Sequence, residues 1–433
     1  KYKNKFMIEL SNLYNFNKLK NDISDYLNKP DIPIVSYIPY LADFIFDNIS
    51  LLTDGNKIDE IKDAYLYIYH NVLTTINKKN SYYTMNKNDD KLLIGTQSKE
   101  ALTLYIEVPF YFGQISGLAF PLISNQYSNI SINLKLKDIE QLIIKNKYSS
   151  LVYKNKIDMK LIYSIAYLDE AECRLFNTMR HEYLYEQKIF NTPIQLNSNV
   201  SEQQKNHISF DFPIKDLFYY IQLQSMLDCG QYYNFTYNYL LPKLNMTTRN
   251  KIIYLEQTIY NEHYDSKIYN LYQKLIKIKN SKIYKLLCYN VYNEIVEKDL
   301  SLLYNNLSQN DINIIEALFS SYYDDTISES TIIKSQLYLN SIERFNLDED
   351  LTNKIIPYKS YTGIVSGLNV YNFSLHPLEY QPSGYCNFSA LKPEFKLTLN
   401  YNINLQNKII KEHIFARSYN IIRFMSGICG IAW

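Results

Sequence analysis

The sequence predicts an all-β protein that carries one helical insertion. Residues 370–375 and 395–399 alternate polar and apolar side chains, which is the period of a strand with one solvated and one buried face. Pro377, Pro382 and Pro393 lie between these stretches, where they exclude a central strand and indicate a structured turn. By contrast, residues 243–356 contain neither Gly nor Pro, so the tight turns of a β-sandwich are not expected there.

Strand signals also occur in the N-terminal half of the chain. After a polar, charge-rich loop predicted over residues 77–90, a strand pattern extends over residues 102–136. Pro109 and Pro121 interrupt this stretch and indicate strand edges or corners, where a missing N–H is tolerated. A further strand is predicted over residues 157–168.

The period then changes to that of a helix. Asp169, with Glu172 three residues later, predicts a helix N-cap, and Leu175 and Met179 follow at helical spacing. We therefore expect a short capped helix, followed by a connecting segment at residues 183–187.

The C-terminal half is predicted to resume the strands and to contain the insertion. Residues 208–223 open it with alternating phenylalanines, and residues 332–339 form a later strand. Between them, residues 243–331 are predicted to form a helical insertion. Its helical spacing is shown by Ile252, Leu255, Ile259, Ile268, Leu271 and Leu275, and Asn310 and Asp311 form a further candidate cap.

Several motifs resemble one known family when they are taken together. The predicted turn reads Gln381-Pro-Ser-Gly384, followed by Asn387-Phe-Ser389. Further collinear segments read YIEVPFYF (105–112) with GLAFPLI (117–123), YLDEAECRLF (167–176) with HEYLYEQ (181–187), FDFPIKDL (210–217), LNSIERF (339–345) and RSYNIIRFMSG (417–427). Together these segments resemble the major capsid proteins of nucleocytoplasmic large DNA viruses.

This resemblance implies a double jelly roll, two antiparallel β-sandwich barrels standing side by side. Residues 1–188 would form the first barrel with an interbarrel helix and linker, and residues 189–433 the second barrel, with the insertion at 243–331. The chain begins at Lys1 rather than Met, which leaves open a missing N-terminal arm.

The resemblance also implies a structural role. The chain would form homotrimeric, pseudo-hexagonal capsomers that tile an icosahedral virus shell. They would contact neighbouring capsomers, minor capsid proteins and, through other proteins, an underlying viral membrane. The protein would be made and assembled in the host cytoplasm and reside in the virion. The alternatives are a poxvirus-type double-barrel scaffold that shapes a viral membrane, and a jelly-roll enzyme or lectin.

The composition agrees with a shell protein. The chain has 45 Lys and Arg against 44 Asp and Glu, so its net charge of +1 gives no electrostatic reason to bind nucleic acid directly. Its five cysteines are widely spaced and lack a CxxC pair, which argues against a zinc site or a disulfide framework and favours synthesis in a reducing compartment. No apolar run reaches the ~18 residues of a membrane span.

No catalytic, cofactor-binding or metal-binding residues are predicted, and the protein is not expected to be an enzyme. The six histidines form no HxH, HExxH or HxxxH motif. His181 next to Glu182 could suggest acid–base chemistry, and Cys386 a nucleophile, but structural roles are favoured for all three. The carboxylates at residues 324–325 and 348–350 are interpreted as solvated loop charges rather than a cation site.

Overall fold

The computed structural model describes nine stretches of the chain. They comprise residues 35–86, 102–145, 157–196, 203–207, 210–228, 230–236, 330–391, 395–401 and 409–432. Every strand pair within them is antiparallel, and the strands form four sheets of two, three, four and seven strands. The prediction of an all-β fold is confirmed.

The strands of the N-terminal half form the two smaller sheets and also enter both larger ones. They are β1 (Val35–Tyr37), β2 (Phe46–Thr53), β3 (Asn56–Lys62), β4 (Ile130–Leu136), β5 (Ile143–Lys145), β6 (His181–Phe190), β7 (Ile194–Leu196), β8 (Gln203–His207) and β9 (Pro213–Leu223). β1 pairs with β5, and the order β3-β2-β4 forms the three-stranded sheet.

The remaining strands complete the two larger sheets. They are β10 (Ile332–Leu339), β11 (Ile342–Asp348), β12 (Asn369–Asn372), β13 (Cys386–Asn387), β14 (Phe395–Tyr401), β15 (Ile410–Met425) and β16 (Ile428–Ile431). The four-stranded sheet has the order β11-β10-β14-β8. The seven-stranded sheet has the path β12-β9-β15-β16, with β13 paired to β9 and with β6 and β7 paired to β15.

Short helices join these strands. The α-helices are α1 (Leu41–Phe44), α2 (Tyr65–Ile68), α3 (Ile76–Met85), α4 (Tyr111–Gln114), α5 (Ile139–Leu142), α6 (Glu170–Thr178), α7 (Gln224–Asp228) and α8 (Ile356–Ser360). π-Helical turns occupy Tyr69–Leu73 and Asp350–Ile355, and 3₁₀ turns occupy Ser116–Leu118, Leu122–Ser124 and Phe388–Leu391.

The seven-stranded sheet lies between two hydrophobic cores. From β9, Phe218 and Tyr220 enter a core shared with β2, β3 and α2, whereas Tyr219 and Ile221 enter a core shared with β10 and β14. β9 is buried along almost its whole length for this reason. A strand buried on both faces needs apolar side chains in both phases, which explains the unbroken Leu-Phe-Tyr-Tyr-Ile sequence at residues 217–221.

Several local predictions are confirmed. The strand predicted at residues 332–339 coincides with β10, and the strand predicted at 395–399 lies within β14. The capped helix is α6, in which Asp169 Oδ1 accepts a hydrogen bond of 2.8 Å from the Glu172 backbone N–H.

Four other local predictions are wrong. The strand pattern predicted over residues 102–136 forms a strand only in β4, because residues 102–129 form short helical turns and irregular backbone. The loop predicted at 77–90 contains α3. Residues 157–168 carry no assigned strand, and most of their apolar side chains are exposed. Residues 183–187, expected to connect the barrels, lie in the middle of β6, because their alternating side chains pair along β15 and bury Tyr185. The division into barrels at 188 and 189 stays a prediction, and β6 crosses that boundary.

The predicted helical insertion at 243–331 lies almost entirely outside the described residues. Its base is described, because Thr236 and Ser330 form an antiparallel bridge. Both residues are buried, and Asn234 Oδ1 accepts hydrogen bonds of 2.9 Å from the backbone N–H and the hydroxyl of Thr236. Thr331 adds a hydrogen bond of 3.2 Å from its hydroxyl to the Phe235 carbonyl. The two points where the chain leaves and rejoins the β-structure are therefore neighbours.

Candidate functional site

The Gln381-Pro-Ser-Gly384 motif closes a loop that follows β12. The hydroxyl of Ser383 accepts a hydrogen bond of 2.8 Å from the backbone N–H of His376, and its carbonyl accepts one of 3.3 Å from Leu375. Gly384 has a φ of 139°, a conformation that L side chains rarely adopt. A Cβ atom at this glycine would lie 2.9 Å from the carbonyl oxygen of Phe373, so any other residue here would force the backbone of the loop to shift.

Two buried cations on the seven-stranded sheet bind backbone carbonyl groups of this loop. Arg417, on β15, donates from Nη2 to the carbonyl oxygen of Pro377 at 2.8 Å. Lys215, on β9, donates from Nζ to the carbonyl oxygen of Glu379 at 2.9 Å. The loop backbone is thus attached directly to the two central strands of the seven-stranded sheet.

Two carboxylates neutralise these cations. Asp216 accepts from Arg417 Nε at 3.0 and 3.1 Å and also from its Nη2, while Glu186 on β6 contacts both Lys215 Nζ and Arg417 Nη1. The hydroxyl of Tyr361 lies 2.8 Å from Asp216 Oδ2. With two positive and two negative charges the cluster is neutral, which is how a protein interior tolerates buried ions.

The charge cluster shifts the pKa values of Arg417 and Lys215. Burial alone would lower the pKa of Arg417, but the neighbouring Asp216 and Glu186 raise it well above its ordinary value. Burial lowers the pKa of Lys215, and the adjacent Arg417 lowers it further. Arg417 therefore holds its proton firmly, whereas Lys215 depends on the two carboxylates to remain charged.

A second buried ion pair joins the three-stranded sheet to the seven-stranded sheet. Lys188 Nζ on β6 lies 2.6 Å from Asp59 Oδ2 on β3 and 2.6 Å from the Pro109 carbonyl oxygen. Both side chains are almost completely buried. Burial raises the pKa of Asp59, and Lys188 opposes that shift. The two sheets are therefore linked by a pair of oppositely charged side chains that are both removed from water.

Comparison with known proteins assigns this architecture to a family. The family described as "Large eukaryotic DNA virus major capsid protein" matches residues 172–430, more than half of the chain, and "Major capsid protein N-terminus" matches residues 20–173. The chain belongs to the major capsid protein family of large eukaryotic DNA viruses. The resemblance of its motifs to this family is confirmed.

Individual relatives agree with the family assignment. The chain is 23% identical to the major capsid protein of Phaeocystis pouchetii virus, covering 92% of this chain and 82% of that one. It is 22% identical to the major capsid protein of Paramecium bursaria Chlorella virus 1, covering 91% and 80%. The scaffold alternative receives no support from these matches, which indicate a structural role in a virus capsid.

Solved structures confirm the double jelly roll. The capsid protein VP54 of PBCV-1, fitted into a reconstruction of the virophage Sputnik, matches with a TM-score of 0.60 at 19% identity, covering 93% of this chain and 88% of that chain. The Faustovirus major capsid protein matches with a TM-score of 0.58 at 10% identity, covering 90% and 73%.

The residues considered for catalysis have structural contacts in this capsid family member. His181 stacks on Phe176, with ring centroids 4.8 Å apart, and Glu182 pairs with Arg180 and with Arg423. Cys386 is partly buried, and burial raises the pKa of its thiol, which disfavours the nucleophilic thiolate.

Of the two acidic segments considered as cation sites, the structure describes only the one at residues 348–350. Asp350 pairs with Lys354 at 2.7 Å, and residues 324–325 lie outside the described residues. Within the part of the chain that the structure describes, no group of three or more His, Cys, Asp or Glu is placed to hold a metal ion. In the same part, no helix is long and apolar enough to cross a membrane.

The sequence reasoning missed the buried ions. Lys215 and Asp216 lie in the segment at 210–217, and they are the only two charged residues of β9. A charge inside a strand that is buried on both faces must find a partner. That signal was available in the sequence, but its partners Glu186 and Arg417 could not be identified without the fold.

Proposed function

We propose that three copies of this chain form a pseudo-hexagonal capsomer, and that these capsomers tile an icosahedral shell. Membership of the capsid family over both halves of the chain supports the proposal. Two barrels per chain give a trimer six similar units around its axis, which produces a near-hexagonal outline. Expression and assembly would take place in the host cytoplasm.

The observation that carries the proposal is the burial of the seven-stranded sheet on both faces. Two hydrophobic cores cover its central strands, and its buried cations Lys188, Lys215 and Arg417 pair with Asp59, Glu186 and Asp216. Such interiors are only slightly compressible. The chain therefore behaves as a rigid tile, which a shell built from many identical copies requires.

The contacts of the proposed shell should differ in character. Contacts within the trimer must persist, so they should be large and apolar, whereas contacts between capsomers and with minor capsid proteins should be smaller and more polar, so that assembly errors can be corrected. Any association with an underlying viral membrane would pass through other proteins. The net charge of +1 favours no direct contact with the genome.

Sedimentation of the purified protein tests the proposal. The expected species has three times the 51.3 kDa mass of the chain, and electron microscopy should show particles with a near-hexagonal outline. A folded protein that stays monomeric at micromolar concentration would contradict it.

A further inference from the structure

Three separate segments meet at one surface of the molecule. The backbone N–H of Tyr127 donates to the carbonyl of Gly427 at 2.8 Å, which joins the loop after the second 3₁₀ turn to the hairpin between β15 and β16. The hydroxyl of Ser124 donates to the carbonyl of Phe176 at 2.6 Å, which joins the same loop to α6. The loop therefore fixes α6 and the hairpin beside each other.

This surface exposes large apolar side chains from all three segments. Each of them is between 51% and 76% exposed, and we call the group the Met425 patch: Leu122, Tyr127, Leu175, Met179, Met425 and Ile428. None of the residues of α6 is buried, so the apolar side of this amphipathic helix is not covered by the core of the chain.

The Met425 patch exposes more apolar area than isolated apolar side chains on a protein surface do. Half-exposed side chains of this size each present on the order of 100 Å², so the six together present roughly 600 Å², which is at the upper end of the largest apolar patches on monomers and close to the ~800 Å² that each partner buries in a stable complex. Met and Tyr are also residue types that are enriched in interface cores.

Charges at the edge of the Met425 patch indicate the partner. On α6, Glu170 pairs with Arg174, and beside the hairpin Glu182 lies between Arg180 and Arg423. A rim that carries both signs fits a similarly mixed surface on a neighbouring copy, which in a three-fold ring is a different face of that copy, whereas a strongly acidic or basic partner would favour a rim of one sign.

We propose that the Met425 patch is the surface through which one copy of this chain binds a second copy. The inference rests on the proposed trimer and specifies a contact within it. Burial of the patch against a neighbouring copy would remove from water the apolar side chains that the isolated chain leaves exposed.

Two variants test the proposal, one on each side of the loop. Leu175→Glu and Met425→Glu place a charge on the Met425 patch without changing the core, because both side chains are more than half exposed. The matched control is Ile342→Glu on β11, where the side chain is 73% exposed and lies in the four-stranded sheet. Circular dichroism should be unchanged in all three proteins, whereas the melting temperature should fall for the two patch variants at concentrations where the unaltered protein is trimeric, because association stabilises the folded chain.

Analytical ultracentrifugation then separates the outcomes. We expect the dissociation constant for self-association to rise about 30-fold or more for each patch variant, the change typical of a central interface residue, and to stay the same for Ile342→Glu. If the unaltered protein and all variants are equally trimeric, the patch inference is wrong and the proposed trimer stands. If the unaltered protein is itself monomeric, both the trimer and the patch contact are overturned.

Discussion

Replacing Gly384 by valine should destabilise the protein through two separate effects. The first is conformational, because a φ of 139° is available to glycine but strained for a β-branched residue. The second is steric, because the new Cβ would lie 2.9 Å from the Phe373 carbonyl oxygen and 3.4 Å from the Cα of Ser374. Both contacts are with backbone atoms of the chain next to β12, so they cannot be relieved by a side-chain rotation.

Substitutions at two other glycines separate the conformational cost from the steric cost. The strained backbone should cost about 1 to 3 kcal/mol, and forcing the added atoms into the closed loop about 1 to 3 kcal/mol more. Gly55→Val measures the backbone effect alone, because Gly55 has a φ of 82° but nothing within 4 Å of its Cβ position. Gly430→Val should be nearly neutral, because its position in β16 is equally open and its φ is outside the left-handed region.

The assay is urea denaturation of the three variants and the unaltered protein at one protein concentration, followed by circular dichroism and by trimer yield. The expected loss of unfolding free energy is largest for Gly384→Val, intermediate for Gly55→Val and smallest for Gly430→Val. If Gly384→Val is no less stable than Gly430→Val, the loop is not structurally demanding and our explanation of the motif fails.

Three further predictions concern the buried charges, the tyrosines and the insertion. Arg417→Met should lower the unfolding free energy by about 3 to 5 kcal/mol in urea denaturation, because it leaves Asp216 buried without its cation, and adding Asp216→Leu should recover part of that loss. Stability should be full below pH 10 and fall above it, by about 1.4 kcal/mol per pH unit for each buried tyrosine, because an unfolded tyrosine ionises near pH 10 whereas burial raises the pKa in the folded state. The tyrosines concerned are Tyr65, Tyr67, Tyr83, Tyr220 and Tyr361. Tyrosinate absorbance that rises near pH 10 without unfolding would contradict this. Finally, replacing residues 237–329 by a short Gly/Ser linker should leave a soluble, β-rich protein by circular dichroism, because Thr236 and Ser330 are already paired, and outright unfolding would show that the segment belongs to the core.

The sequence predicted those elements whose signals are local. β10 shows the two-residue period of a half-buried strand, and the cap of α6 needs only Asp169 and the backbone N–H of Glu172, three residues away. Elements whose side-chain burial differs from that of an ordinary amphipathic helix or strand were predicted less well. α3 buries only Tyr82, so its sequence is polar enough to resemble a loop. Residues 157–168 alternate like a strand, but their apolar side chains are largely exposed in the folded chain.

The turn motif shows why the candidate site could be located from the sequence but not explained by it. Its closure depends partly on neighbours, since Ser383 and His376 are seven residues apart. Its attachment depends on Arg417 and Lys215, which lie 40 and 164 residues from the carbonyl groups they bind. No periodicity can reveal contacts at such separations, because a strand pattern reports which face is buried and not which strand lies beside it. Two separate constraints therefore shape the motif. Arg417 and Lys215 bind the loop carbonyls of Pro377 and Glu379, and the absence of a Cβ at Gly384 lets the end of the loop approach the backbone of Phe373.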